Sequence, residues 1–141
     1  MEERSDGEAT GGRMTGGFLH VLPAVAYAAA VLTMGVTPQE GAPSPEVDDK
    51  IVHLITFAVM MLLATRATRF LAPRRGSVQH LFLAGAAAMG IGVLLEVLQA
   101  FTPDRTAELG DLLADLAGVL LMAGGLFVSS RLLRDGSAAA S

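Results

Sequence analysis

From Leu81 to Phe101 the chain carries a single ionisable residue, Glu96, inside an apolar run long enough to cross a bilayer. A helix rises about 1.5 Å per residue and the hydrocarbon core is about 30 Å thick, so about 20 apolar residues suffice. No polar face returns every turn over this run, as it would in the surface helix of a soluble domain. Lipid, rather than water, is therefore the solvent this segment is built for. A lone carboxylate at that depth is costly; it is usually paired and usually functional.

The rest of the chain follows the same rule. It has 141 residues, of which 52% are hydrophobic and 17% charged, well under the quarter typical of soluble domains. Residues 1–17 are rich in Glu, Arg, Ser, Gly and Thr and read as a disordered tail. The first apolar segment is Phe18–Val36. Its length and the acidic tail before it favour a retained helix over a cleaved signal peptide, although Ala28–Ala30 offers small residues for cleavage. Three prolines mark 37–46 as a loop. The second segment runs from Asp49 to Ala72, before Pro73, and its uncharged part, Leu54–Thr65, is short. Arg66 and Arg69 must then snorkel to the interface. The third segment is His80–Phe101, ended by Pro103, and the fourth is Asp111–Ser130. The expected fold is an all-α integral membrane bundle of four transmembrane helices over 18–134, with a flexible tail at 135–141.

Charge orients the bundle. Arg4, Arg13, Arg66, Arg69, Arg74, Arg75, Arg131 and Arg134 fall on one side, leaving Lys50 and Arg105 opposite. The positive-inside rule predicts both termini in the cytoplasm and loops 37–48 and 102–110 outside. Small residues at four-residue spacing, Ala84, Ala88 and Gly92, then Gly110, Ala114 and Gly118, are expected at helix contacts. The net charge of −4 gives no basic field for nucleic acid. The absence of cysteine excludes disulfides and thiolate chemistry.

The polar residues gather on the outward side. Asp49 and His53 share a face of the second helix, Glu96 and Gln99 a face of the third, and Asp111 and Asp115 a face of the fourth. Lys50 and Arg105 lie beside them. Asp49 and Asp111 also sit where a carboxylate caps a helix start. His53 reads first as a buried, hydrogen-bonded ring. Glu96 needs a partner, with Arg105 the best by charge and Lys50 and His53 next. Carboxylates with one histidine could hold a divalent cation. No HExxH-type spacing supports that, so no metal or cofactor is expected.

Three stretches carry a family resemblance: DKIVH at Asp49–His53, EVLQAFTPDR at Glu96–Arg105 and DLLADLAG at Asp111–Gly118. In order and spacing they resemble the D-K-x-x-H, E-x-x-Q-x-F-x-P-x-R and D-x-x-x-N-x-x-G motifs of the VanZ-like bacterial membrane proteins. The resemblance spans about residues 18–133. Asp115 departs from it, standing where Asn is expected; a carboxylate cannot donate as an amide does. Glu108 stands where a small Ser is frequent. The resemblance implies a multipass protein of the bacterial inner membrane, connected through the founding member to glycopeptide (teicoplanin) resistance, and no established reaction.

The reading that follows is an outward polar pocket of Asp49, Lys50, His53, Glu96, Gln99, Arg105, Asp111 and Asp115. Its expected partner, besides membrane lipid, is an amphiphile: a lipoglycopeptide antibiotic or a lipid-linked envelope component. Two alternatives stand beside it. One is a membrane-embedded acid–base or metal-dependent hydrolase or transferase on a lipid-linked substrate, with His53 and Glu96 as acid and base. The other is a scaffold whose polar network only fixes packing.

Overall fold

The computed structural model describes residues 6–37, 46–103 and 107–139, with side chains over 18–37, 49–103 and 107–136. The described residues form helices α1 (Asp6–Val36), α2 (Glu46–Leu71), α3 (Ser77–Ala100) and α4 (Leu109–Ala139) and no strand. Each contains a span long and apolar enough to cross a membrane: Phe18–Val36, Asp49–Leu71, Ser77–Ala100 and Leu109–Gly136.

The helices overrun the apolar segments that predict them. Residues 6–17, expected as tail, are the first turns of α1, and α4 continues past Arg134. Adding a residue to an existing helix fixes one residue per hydrogen bond and needs no new nucleus, so polar flanks can extend an apolar helix. Pro73 stops α2, since a proline disfavours helical geometry in the residue before it. At the start of α3 the Gln79 side chain folds back and accepts the Gly76 N–H (3.3 Å).

Helix α2 is the centre of the bundle. It packs against α1, α3 and α4, and its pairing with α4 is the most extensive. Phe57, Met60, Met61 and Ala64 of α2 form the buried core with Ala84 and Ala88 of α3 and Val119 of α4. The α3 stripe His80, Ala84, Ala88, Gly92, Leu95 and Gln99 is buried, so the small-residue row read from sequence is a helix contact. On α4 the tightest point is Gly118. A Cβ there would collide with the Leu54 carbonyl oxygen, so only glycine lets the two backbones meet. Helix α1 is peripheral. Phe18, Leu19, Leu22, Val25 and Met34 are exposed along it, an apolar surface suited to lipid.

Thr65 is 2% exposed within this core, yet its hydroxyl is satisfied: Oγ1 donates to the Met61 carbonyl at 2.8 Å. The polar interior of the molecule is concentrated instead at the end where α2 and α4 begin.

Candidate functional site

Two carboxylate-bearing ladders face each other across the α2–α4 seam. Asp49 and His53 are one turn apart on α2, and Asp111 and Asp115 one turn apart on α4, so each pair projects from one face. His53 Nδ1 lies 2.8 Å from Asp115 Oδ1. His53 Nε2 lies 3.9 Å from Asp111 Oδ2, too far for a hydrogen bond. Asp115 is 0% exposed and Asp111 4%. The His53 ring is parallel to that of the fully buried Phe57, one turn along α2, with centroids 6.5 Å apart. Where Asp115 is ionised it can only accept, and Nδ1 is then the donor. In the neutral ring this turns the Nε2 lone pair toward Asp111.

Helix α3 makes room for this pair. A Cβ on Gly92 would meet Asp115 Oδ2 at 2.7 Å and Phe57 Cε1 at 3.2 Å. Gly92 therefore admits the buried carboxylate. Even so, Asp115 Oδ2 and Asp111 Oδ1 are buried with no hydrogen-bond partner among the described residues.

Glu96 and Gln99 of the third set are anchored on backbone groups. Glu96 Oε2 accepts the backbone N–H of Glu108 at 2.9 Å, which ties α3 to the residue preceding α4. Lys50 Nζ reaches across the helix starts to Glu108 Oε2 at 3.6 Å, its stem lying over Gly110. Gln99 Nε2 donates to the Gly35 carbonyl at the end of α1 (3.1 Å). Arg105, the expected partner of Glu96, lies outside the described residues. Asp49, His53, Asp111 and Asp115 thus converge directly, with Glu96 within electrostatic range of His53, Asp111 and Asp115. Gln99 and Lys50 brace the edges.

Beside the cluster a cleft of about 350 Å³ opens between α1, α2 and α3. Tyr27, Val31 and Met34 of α1, Phe57 of α2 and Leu95 of α3 give it apolar walls. Asp49, His53 and Gln99 form its polar end, and Glu96 is not among its lining residues.

Sequence reasoning missed two contributors. Tyr27 is the only tyrosine in the chain, and its hydroxyl donates to the Thr56 carbonyl at 3.3 Å, holding α1 against α2. A phenol in mid-span needs a partner for its O–H, and that was the available signal. Glu108 acts through its backbone N–H, for which the side chain offers no signal at all. The expectation of no metal rested on the absence of HExxH-type spacing along the chain. Asp49, His53 and Asp111 each present one ligand atom, all within 4.8 Å of one another.

The chain matches the VanZ/LLP1 family over residues 17–131 and belongs to it. No curated protein and no solved structure matches the chain. The geometry bears on the one departure from the family's motifs. Asp115 presents Oδ1 to His53 Nδ1 at 2.8 Å, a position from which the carbonyl oxygen of an Asn would accept equally.

Proposed function

We propose that this VanZ-like membrane protein recognises an amphiphile in the cleft between α1, α2 and α3. The observation that carries the reading is the division of the cleft into apolar walls and one polar end. Ligand sites are mostly apolar with a few convergent polar groups that fix orientation. The walls take an acyl or prenyl chain, and Asp49, His53 and Gln99 meet its headgroup. Positive-inside orientation puts this end on the outer face of a bacterial inner membrane, where envelope lipids and lipoglycopeptides are met. A role in glycopeptide resistance or envelope homeostasis is the biological form of this activity. The acid–base alternative is weakened because Glu96 does not line the cleft with His53.

The test is binding by purified protein in detergent, with teicoplanin and a polyprenyl phosphate as probes. At least one is expected to bind saturably. Val31→Trp fills the cleft from a half-buried position and should abolish that binding while the protein stays folded. Binding of neither probe, or undiminished binding by Val31→Trp, favours the scaffold reading.

A further inference from the structure

We propose that Asp49, His53 and Asp111 hold a divalent cation of borderline type, Zn²⁺ or Mn²⁺, with Asp115 positioning the histidine. The inference is independent of the amphiphile reading, and its test contains no lipid probe.

The first argument is geometric. Two ligands held at about 2.1 Å from one ion stand about 3–4 Å apart. His53 Nε2 and Asp111 Oδ2, at 3.9 Å, are too distant to bond each other and are spaced as two ligands of one ion. Asp49 completes the set, with all three ligand atoms within 4.8 Å. It is the half-buried member, one turn before His53.

The second argument is the tautomer. A metal-bound histidine usually donates its other ring N–H to a carboxylate or carbonyl, which orients the ring and raises its basicity. Asp115 Oδ1, 2.8 Å from His53 Nδ1, is such a partner. It leaves Nε2 as the ligand atom, on the side of Asp111.

The third argument is an unmet need. Asp111 is 4% exposed, and its Oδ1 has no partner among the described residues. A buried carboxylate without compensation is strongly disfavoured. His53 faces Asp49, Asp111 and Asp115, and Lys50, paired with Glu108 at 3.6 Å, lies within electrostatic range of Asp111. A divalent cation offsets part of this carboxylate charge, and bidentate coordination by Asp111 would give Oδ1 its missing contact. One imidazole with two carboxylates suits Zn²⁺ or Mn²⁺ better than Mg²⁺, which prefers an all-oxygen shell and keeps its waters. Three protein ligands leave a coordination position, and Asp49 and His53 both line the cleft. The open position therefore faces the space where a phosphate or carboxylate oxygen could enter.

The experiment uses the full chain purified in detergent, stripped with a chelator, and equilibrated separately with Zn²⁺, Mn²⁺ and Mg²⁺ salts. Elemental analysis after gel filtration should find about one Zn²⁺ or Mn²⁺ per chain and no retained Mg²⁺. The same ion should raise the melting temperature. Asp111→Asn, which is isosteric, should lose both the ion and the shift. Asp115→Asn should weaken affinity by about 10- to 100-fold while keeping stoichiometry, the usual consequence of losing a carboxylate behind a ligating histidine. Asp135→Asn, an exposed carboxylate near the end of α4, should bind as wild type. Failure of the wild-type protein to retain Zn²⁺ or Mn²⁺ overturns the proposal without reference to any variant. So does retention of the ion by a folded Asp111→Asn, or equal retention of Mg²⁺.

Discussion

His53, Asp111 and Asp115 are buried at one end of the bundle, whereas Arg66, Arg69, Arg74, Arg75, Arg131 and Arg134 at the other are exposed. The basic end also buries a histidine. His80 is 5% exposed, and its Nδ1 has no partner among the described residues. The two histidines share a residue type and a degree of burial and differ in company. Carboxylates from α4 converge on His53, while what reaches His80 is the Thr68 hydroxyl, on its backbone carbonyl at 3.5 Å. Burial alone thus does not make a site. Convergence of charge from separate helices does, because desolvated charges persist only where geometry compensates them. The exposed arginines carry no such demand.

The largest expected effect tests that contrast directly. His53→Leu leaves Asp115 Oδ1 buried without its ring partner, a change that costs about 3 kcal/mol for an unsatisfied buried carboxylate. The double variant His53→Leu/Asp115→Leu removes both partners and should recover part of the loss, since apolar replacement of a whole pair is often near neutral. His80→Leu breaks no ion pair and should cost less than about 1.5 kcal/mol, as a volume-conserving core change does. Melting of detergent-solubilised protein, followed by size-exclusion chromatography, measures all three. Equal losses from His53→Leu and His80→Leu would break the comparison.

Next in size is the seam that holds the acidic end together. Gly118→Val drives a side chain into the Leu54 carbonyl, and overpacking of this kind costs about 1–3 kcal/mol. Gly124 lies farther along α4 toward the basic end, and a Cβ there would meet nothing within 4 Å. Gly124→Val should therefore change the melting temperature little, within the roughly 0.5 kcal/mol of an ordinary surface change. A comparable fall for both would mean that close approach at Gly118 is not what joins α2 to α4.

How far the sequence led follows the same division. The four spans were legible because apolar length is a local property, and Leu81–Phe101 announces itself without reference to its neighbours. The clustering of Asp49, His53, Asp111 and Asp115 was legible because one-turn spacing fixes a face and the alternation of spans fixes an end. Pairing within the cluster was not. Whether His53 meets Asp115 or Glu96 depends on how close α4 comes to α2, which Gly118 and Gly92 decide through backbone contact and space rather than through any polar signal. Glu96 shows the limit best. Its charge called for a partner, and among the described residues that partner is the Glu108 backbone N–H, which every non-proline residue carries.

That bond sets the third prediction. Glu96→Gln keeps an oxygen to accept the Glu108 N–H but removes the charge. Charge-assisted hydrogen bonds are about twice as strong as neutral ones, so the loss should be about 0.5–1.5 kcal/mol. Hydrogen exchange at the Glu108 amide should accelerate, while the amides of α2 near Met61 stay protected. Unchanged exchange at Glu108 would show that the α3–α4 tie does not depend on Glu96.

The smallest effect belongs to the basic end and completes the contrast. The Arg131 guanidinium carbon lies 5.2 Å from the centroid of the Phe127 ring, one turn back on α4. A cation–π contact at an exposed site contributes about 0.5–1 kcal/mol. Arg131→Gln should lower the melting temperature by an amount of that order or less, and far less than His53→Leu. Orientation should survive it, because Arg66, Arg69, Arg74, Arg75 and Arg134 still bias that side. Labelling with an impermeant thiol reagent in intact cells reads orientation in the same variant. A cysteine at Ser77, which borders one groove with Arg131, should stay unlabelled, and a cysteine at Thr106 should react. Neutralising all six arginines should scramble both patterns, although each alone contributes little to stability. If Arg131→Gln by itself destabilised the bundle as much as His53→Leu, the basic end would be structural in the way the acidic end is, and exposure would no longer separate their roles.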